Sequence, residues 1–312
     1  MKKFLLSFVF ALPIIGTAQQ APQASFYTVN ALQYNPAYAG ARGTINATIA
    51  NRAQWVGLNG APRTQFLSVQ APIEGKNFGI GLAMMNDKTG ARSNSTAMLS
   101  LAYQLKFKSS PWKISLGLTG GLCNNRADFS SVAATDLEDP KLLQGYNLNH
   151  FNYGAGIYAF SQKAFVSMSV PLLSEPQFGA RINPYVDAND KENPYAYLQR
   201  SYYMSAGLVF FQKEHLDLKS TILFKYTSHA PIGIDLNVAA LINKKVWIGG
   251  LYRYNAGLGM NFTYSPNNRW NLGYAIEFPI NQLYYRNKGS HELFLSFDFQ
   301  RKNKSTSAYR YF

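Results

Sequence analysis

Between residues 43 and 299, apolar and polar side chains alternate in about fourteen short segments, and short connectors take turns with longer ones. Together these two alternations constrain the fold more than any other feature. Period two is strand geometry, because successive Cβ atoms point to opposite faces. Sorting connectors by parity belongs to a transmembrane barrel of the outer-membrane type, with tight turns at one end and longer loops at the other. A soluble sandwich has no reason to sort its loops this way.

The alternation is clearest late in the chain. Trp270, Leu272, Tyr274, Ile276 and Phe278 share one face, with Asn271, Gly273, Ala275 and Glu277 between them. In the last segment Leu293, Leu295, Phe297 and Phe299 oppose Glu292, Ser296, Asp298 and Gln300, with Phe294 as the exception. The apolar face suits lipid, and the acids, amides and glycines of the other face suit a wet or partly filled lumen. Segments of about ten residues match the length needed to cross a bilayer at barrel tilt. The expected strands are 43–55, 62–71, 76–86, 95–107, 112–124, 152–160, 163–170, 201–211, 216–227, 232–242, 246–254, 257–265, 269–278 and 290–299. The even-numbered gaps, 72–75, 108–111, 161–162, 212–215, 243–245 and 266–268, are tight and rich in turn residues. The odd-numbered gaps include the two longest connectors, 125–151 and 171–200. An even strand count puts both termini and the short turns on the periplasmic side, with the long loops facing outward.

The expected fold class is therefore an all-β, transmembrane antiparallel barrel of about fourteen strands, using nearly the whole chain of 312 residues. The competing architecture, two soluble sandwich domains, is opposed by the lack of a linker and by an aromatic content of 15%. After the N-terminus there is no apolar run of about twenty residues, which excludes a helical membrane protein. Residues 1–18 read as a secretory signal: Lys2 and Lys3, an apolar core over 4–15, then Gly16, Thr17 and Ala18 before the cut. The remaining division is 19–42 as a periplasmic or plug segment, 43–299 as the barrel and 300–312 as a tail. Cys123, the one cysteine, reads as a small apolar residue.

Formal net charge is +14. A basic balance can mean nucleic acid, but the secretory signal opposes that, and the bases are scattered over turns, loops and tail. Solvated turns and lipid phosphates explain them, and the sharper alternative is an acidic protein partner. None of His150, His215, His229 and His291 has a second ligand at zinc spacing, and there is no nucleophile elbow or phosphate loop. His291 adjoins Glu292, but neighbouring strand residues face opposite ways. No catalytic residue, metal or cofactor is expected.

Five motifs stand in order along the chain. Asn35-Pro36-Ala37-Tyr38-Ala39-Gly40 precedes the first strand. Arg52-Ala53-Gln54-Trp55-Val56-Gly57-Leu58 is followed by Gly60-Ala61-Pro62-Arg63-Thr64-Gln65. Gly79-Ile80-Gly81 leads to Asn86, Asp87 and Gly90, Gly289-Ser290-His291-Glu292 comes later, and the chain closes in Arg310-Tyr311-Phe312. In this the sequence resembles the PorP/SprF family of outer-membrane proteins from Bacteroidetes, from about residue 20 onward. The resemblance implies a non-enzymatic barrel of type IX secretion and gliding motility. Such a barrel either anchors a secreted adhesin through its C-terminal domain or associates with ring and peptidoglycan-binding secretion components. A small-solute channel or porin is the alternative function.

Physically, Asn35 and Pro36 start a turn, and Gly40 and Gly43 allow tight entry into the first strand. Trp55 fits an interfacial anchor. Arg52 and Arg63 are candidates to pair with lumen acids such as Glu277, Asp235 or Asp298. Phe312 resembles the aromatic end by which barrels are handed to their assembly machinery. Partner binding is expected on the long loops, where Phe178, Arg181, Tyr185, Tyr195 and Tyr197 are of the types that dominate protein–protein contacts.

Overall fold

Fourteen antiparallel strands close into one barrel in the computed structural model, which describes residues 22–129, 145–175, 199–228, 230–267, 269–299 and 311–312. The strands are β1 (Ile45–Ala53), β2 (Arg63–Pro72), β3 (Phe78–Thr89), β4 (Arg92–Lys106), β5 (Lys113–Ala127), β6 (Tyr146–Phe160) and β7 (Ala164–Val170). They continue as β8 (Ser201–Gln212), β9 (Leu216–Thr227), β10 (Gly233–Ile242), β11 (Val246–Arg253), β12 (Gly257–Tyr264), β13 (Trp270–Pro279) and β14 (Ser290–Phe299). Each pairs with its neighbours in sequence, and β1 closes on β14 with Ile45 opposite Phe299 and Ala53 opposite His291. Closure leaves no edge strand, as lipid requires. No helix of the described residues is long and apolar enough to cross a membrane.

Alternation sorts the faces as expected. Leu99 and Leu118 are 67% exposed and Met260 72%, while Ser296 and Ala275 are 1% exposed. Phe294 does face inward, and its ring occupies the space left by Gly273 on β13, where a Cβ would come within 2.0 Å of it.

Connector parity is less regular than the sequence suggests. The even-numbered connectors are all short. One of the tightest turns at Asn243 and Lys244, both left-handed (φ 50° and 55°), with the Lys245 amide donating to the Ile242 carbonyl at 3.0 Å. Two consecutive left-handed residues are the hairpin turn that matches strand twist. At the other end, however, β3 and β4 are joined by Gly90 and Ala91 alone, and β11 and β12 by residues 254–256. Strands β4, β5 and β6 reach 15 residues each, longer than the bilayer needs, so the connector expected over 125–151 contracts to 128–145.

Candidate functional site in the barrel lumen

Lumen-facing residues of a fourteen-strand wall enclose more space than their own side chains fill, and the segment before β1 enters it. The single turn α1 (Ala31–Tyr34) and a 3-10 turn at Pro36–Tyr38 lie inside, and Ala24, Phe26, Tyr27, Leu32 and Tyr38 are buried. Three plug rings meet wall rings edge-on: Phe26 with Phe294 at 4.6 Å, Tyr34 with Tyr203 at 5.2 Å and Tyr38 with Tyr158 at 5.4 Å. Each pair contributes about 0.5–1.5 kcal/mol beyond area burial. The Tyr27 hydroxyl donates to Thr221 Oγ1 at 2.7 Å. Burial pushes the Tyr27 phenol above its ordinary pKa, so the hydroxyl stays protonated and able to donate.

The motif at 35–40 is the part pressed hardest against the wall. Asn35 caps the 3-10 turn, its Oδ1 accepting from the Ala37 amide at 2.9 Å, and its Nδ2 donates to the Ile157 carbonyl at 3.0 Å. Wall glycines make the room. A Cβ at Gly117 would lie 2.2 Å from Ala37 N, one at Gly156 2.1 Å from Asn35 Oδ1, and one at Gly79 2.2 Å from the Ala39 oxygen. Gly40, left-handed at φ 71°, turns the chain where a Cβ would meet Gly79 Cα at 2.6 Å. Of the wet or partly filled lumen that the inward glycines suit, the structure has the filled form: they make a groove for plug backbone. Below them, Arg42 forks onto Asp298 with both bonds at 2.8 Å. Burial opposes its charge, but the carboxylate more than offsets this and holds the guanidinium pKa above the ordinary value.

In the long-loop half, strand-borne charges converge on the start of the plug. Arg52 bonds Glu277 (3.0 and 2.9 Å) and Glu292 (3.3 Å). Arg253 bonds Asp235 and Glu277, each at 2.9 Å, and Lys225 bonds Asp235 at 2.7 Å. Three cations balance three carboxylates, and plug atoms complete the shell. The Ser25 and Phe26 amides donate to Glu292 (2.6 and 3.3 Å), the Ser25 hydroxyl bonds Glu277, and Arg253 donates to Gln23 Oε1 (2.6 Å) and the Ala24 carbonyl (3.3 Å). Buried charges are tolerated only when paired and well bonded; here the wall supplies the ion pairs, the plug adds hydrogen bonds to them, and Arg52 Nε is left without a bond.

In the short-turn half a polar cavity of about 140 Å³ remains, between plug residues 25–29 and a wall that includes Thr221, Asn237, Asn261 and Thr263. Tyr311 and Phe312 close one side of it. The Tyr311 hydroxyl donates to Asp217 (2.9 Å) and accepts from Gln212 (2.6 Å), Lys219 donates to its carbonyl (2.6 Å), and the Phe312 ring meets Phe165 at 4.8 Å.

A family model for the type IX secretion system membrane protein PorP/SprF matches residues 16–297. The chain belongs to this family. No curated protein sequence matches it. Among solved structures it is similar in fold to the CymD monoaromatic hydrocarbon channel (11% identity, 87% of this chain and 93% of that one, TM-score 0.51). The KdgM porin aligns at 9% identity over 82% of this chain and 99% of that one, TM-score 0.40. Outer membrane phospholipase A from Escherichia coli aligns at 12% identity over 82% and 90%, TM-score 0.35. Family and barrel together place the protein in the outer membrane, in the type IX secretion system.

Several PorP/SprF motifs that are separate in sequence meet in space. The Val56 amide donates to the Gly289 carbonyl at 2.8 Å, the Lys288 amide to Val56 at 2.7 Å, and the Trp55 amide to Ser290 Oγ at 3.2 Å. Trp55 and Gly57 are left-handed residues of this β1–β2 connector, and Pro62 accepts from the Gln54 amide. Asp87 accepts from Thr64 Oγ1 at 2.6 Å, and Asn86 from Ser95 Oγ at 2.9 Å. His291 and Glu292 part as strand geometry demands: His291 Nδ1 pairs with the Tyr274 hydroxyl at 2.6 Å on the outer face, while Glu292 points inward. Arg52 takes Glu277 as expected. Arg63 takes none of the named acids; it stands exposed at the start of β2, and Asp235 and Asp298 belong to Arg253 and Arg42. Sequence reasoning missed Arg253, Lys225 and Arg42, which were recognisable as charges placed at inward positions or next to a strand start. Phe312 is not the end of a strand: β14 closes at Phe299, and Phe312 packs inside. Phe178, Arg181, Tyr185, Tyr195 and Tyr197 lie outside the described residues, as does the signal segment 1–18.

Proposed function

We propose that this barrel is a non-enzymatic holding platform of type IX secretion and gliding, exported by its N-terminal signal. It anchors a secreted surface protein such as an adhesin, or docks secretion components. The observation that carries this reading is the filled lumen: the plug, the three-against-three charge network and Tyr311–Phe312 occupy it from the long-loop half to the short-turn mouth. A barrel whose lumen is largely occupied by its own chain has its two ends left for work, and binding surfaces concentrate on loops carried by a rigid scaffold. The residues for outward contact are Phe178, Arg181, Tyr185, Tyr195 and Tyr197. A channel is the second reading, favoured by the polar cavity of about 140 Å³, but it requires the plug to leave.

Deletion of residues 183–197 tests the platform. The barrel is expected to stay folded and heat-modifiable in the outer membrane while a secreted partner, captured by co-purification from native membranes, is lost from the cell surface. Full retention of the partner by the deletion strain removes the outer-loop site.

A further inference from the structure

The positive charge of this protein is concentrated at one end. Each of the six short connectors or its flank carries an exposed base: Lys76, Lys108, Lys163, Lys213, Lys245 and Arg269. Exposed acids in the same connectors are Glu74 and Glu214. The opposite end is nearer balance: connectors 128–145, 171–200 and 280–289 together hold eight acids and six bases.

Position around the rim decides what the bases face. A belt for lipid phosphates would sit on outward positions, but at this end those hold Phe78, Tyr103, Leu105, Trp112, Tyr264 and Trp270, the apolar and aromatic girdle. Bases fall in turns or on the inward parity. Lys106 and Lys113 are two residues beyond the inward Gln104 and Ser115, and Lys245 and Arg269 stand two residues before the inward Trp247 and Asn271. They ring the mouth. Tyr311 and Phe312 lie within the mouth and close one side of the cavity there. Fourteen strands at about 4.8 Å spacing and roughly 40° tilt enclose a disc of about 600 Å². The flanks of the turns bring this toward the roughly 800 Å² that one partner contributes to a standard interface. Lysine predominates over arginine, which suits steering of a diffuse acidic surface more than bidentate capture of phosphate.

We propose that the short-turn end is a docking face for an acidic protein surface on the periplasmic side of the outer membrane. This rests on the platform reading and names the end and chemistry of one partner. The full-length protein in native membranes would carry a photo-crosslinking residue in place of Ser109, in a short connector, or Asn59, on the long-loop side. Two charge reversals of equal size are compared: K108E/K163E/K245E at the proposed face, and K88E/R126E/K288E at the opposite end. Expected is a protein adduct at Ser109 that maps to an acidic peptide of the partner. It should fall at least tenfold in the short-turn triple and in 0.5 M salt, and stay within twofold in the other triple. K108Q/K163Q/K245Q replaces the reversal if that variant fails to become heat-modifiable. A Ser109 adduct of unchanged yield in the short-turn triple overturns the proposal, and so does a Ser109 adduct of lipid alone. A protein adduct from Asn59 with none from Ser109 overturns the docking face and leaves the platform standing. Absence of protein adducts from both positions overturns the platform as well.

Discussion

Arg52 ties two strands to the plug: it is 1% exposed and bonded to Glu277, Glu292 and Ser25. Removing one partner from a buried ion group leaves the others uncompensated, at about 3–5 kcal/mol. Glu277→Ala leaves Arg52, Arg253 and Lys225 with only Glu292 and Asp235, so the temperature at which the heat-modifiable band disappears should drop sharply, well beyond the effect of Glu74→Ala on the exposed rim. Equal transitions for the two variants would mean the network is not formed. Arg52 and Glu277 were legible in the sequence because a charge on an inward strand position must find a partner. Their link to Ser25 was not, nor was that of Arg253 to Gln23, because no periodicity ties a pre-strand segment to particular strand positions. The wall glycines were legible only in part: they suit a wet lumen as well as a filled one, and only the plug backbone beside Gly117 and Gly156 decides between them. Gly117→Val should therefore lift the plug. With Cys123→Ala as background, Ser25→Cys is expected to resist maleimide in the otherwise unchanged barrel and to label readily beside Gly117→Val.

Fourteen strands were readable because lipid on one face and a packed lumen on the other force the period of two without interruption. Ends were less readable. Strands β4, β5 and β6 run past the bilayer into water, where neither face must be apolar and the alternation fades. This is why the β3–β4 connector looked long and proved to be Gly90 and Ala91. Facing makes a test on one strand. Leu295→Arg puts a cation in lipid at about 2–4 kcal/mol near the midplane. Ser296→Arg points into the lumen beside the cavity, where Asp298 lies two residues on, and should assemble better. Membrane yield and heat-modifiability check the pair, and equal yields contradict the assignment. Ala275, also inward, is no mild site: it packs in the cluster of Phe26 and Phe294, so an arginine there would displace the plug.

At the scale of the whole molecule, one chain supplies a wall, its filling and two differently charged ends. The wall alone is an ordinary outer-membrane barrel, and its likeness in fold to a channel says nothing about whether this one conducts. That depends on the filling. In the long-loop half the charge network and the Phe26–Phe294 pair occupy the section, and in the short-turn half Tyr311 and Phe312 border a cavity of about 140 Å³. Plug residues 25–29 stand between that cavity and the long-loop end. The protein in planar bilayers should therefore show no steady conductance. Deleting residues 24–34 takes out Phe26, Tyr27, Leu32 and Tyr34 and uncovers the network, while the 35–40 motif stays seated in its glycine groove. That variant should give an ohmic pore that is still narrowed at the short-turn end, and truncation after residue 310 should widen it further. Steady conductance in the unaltered protein, at the level of the deletion variant, would mean the plug leaves spontaneously and would favour the channel reading over the platform.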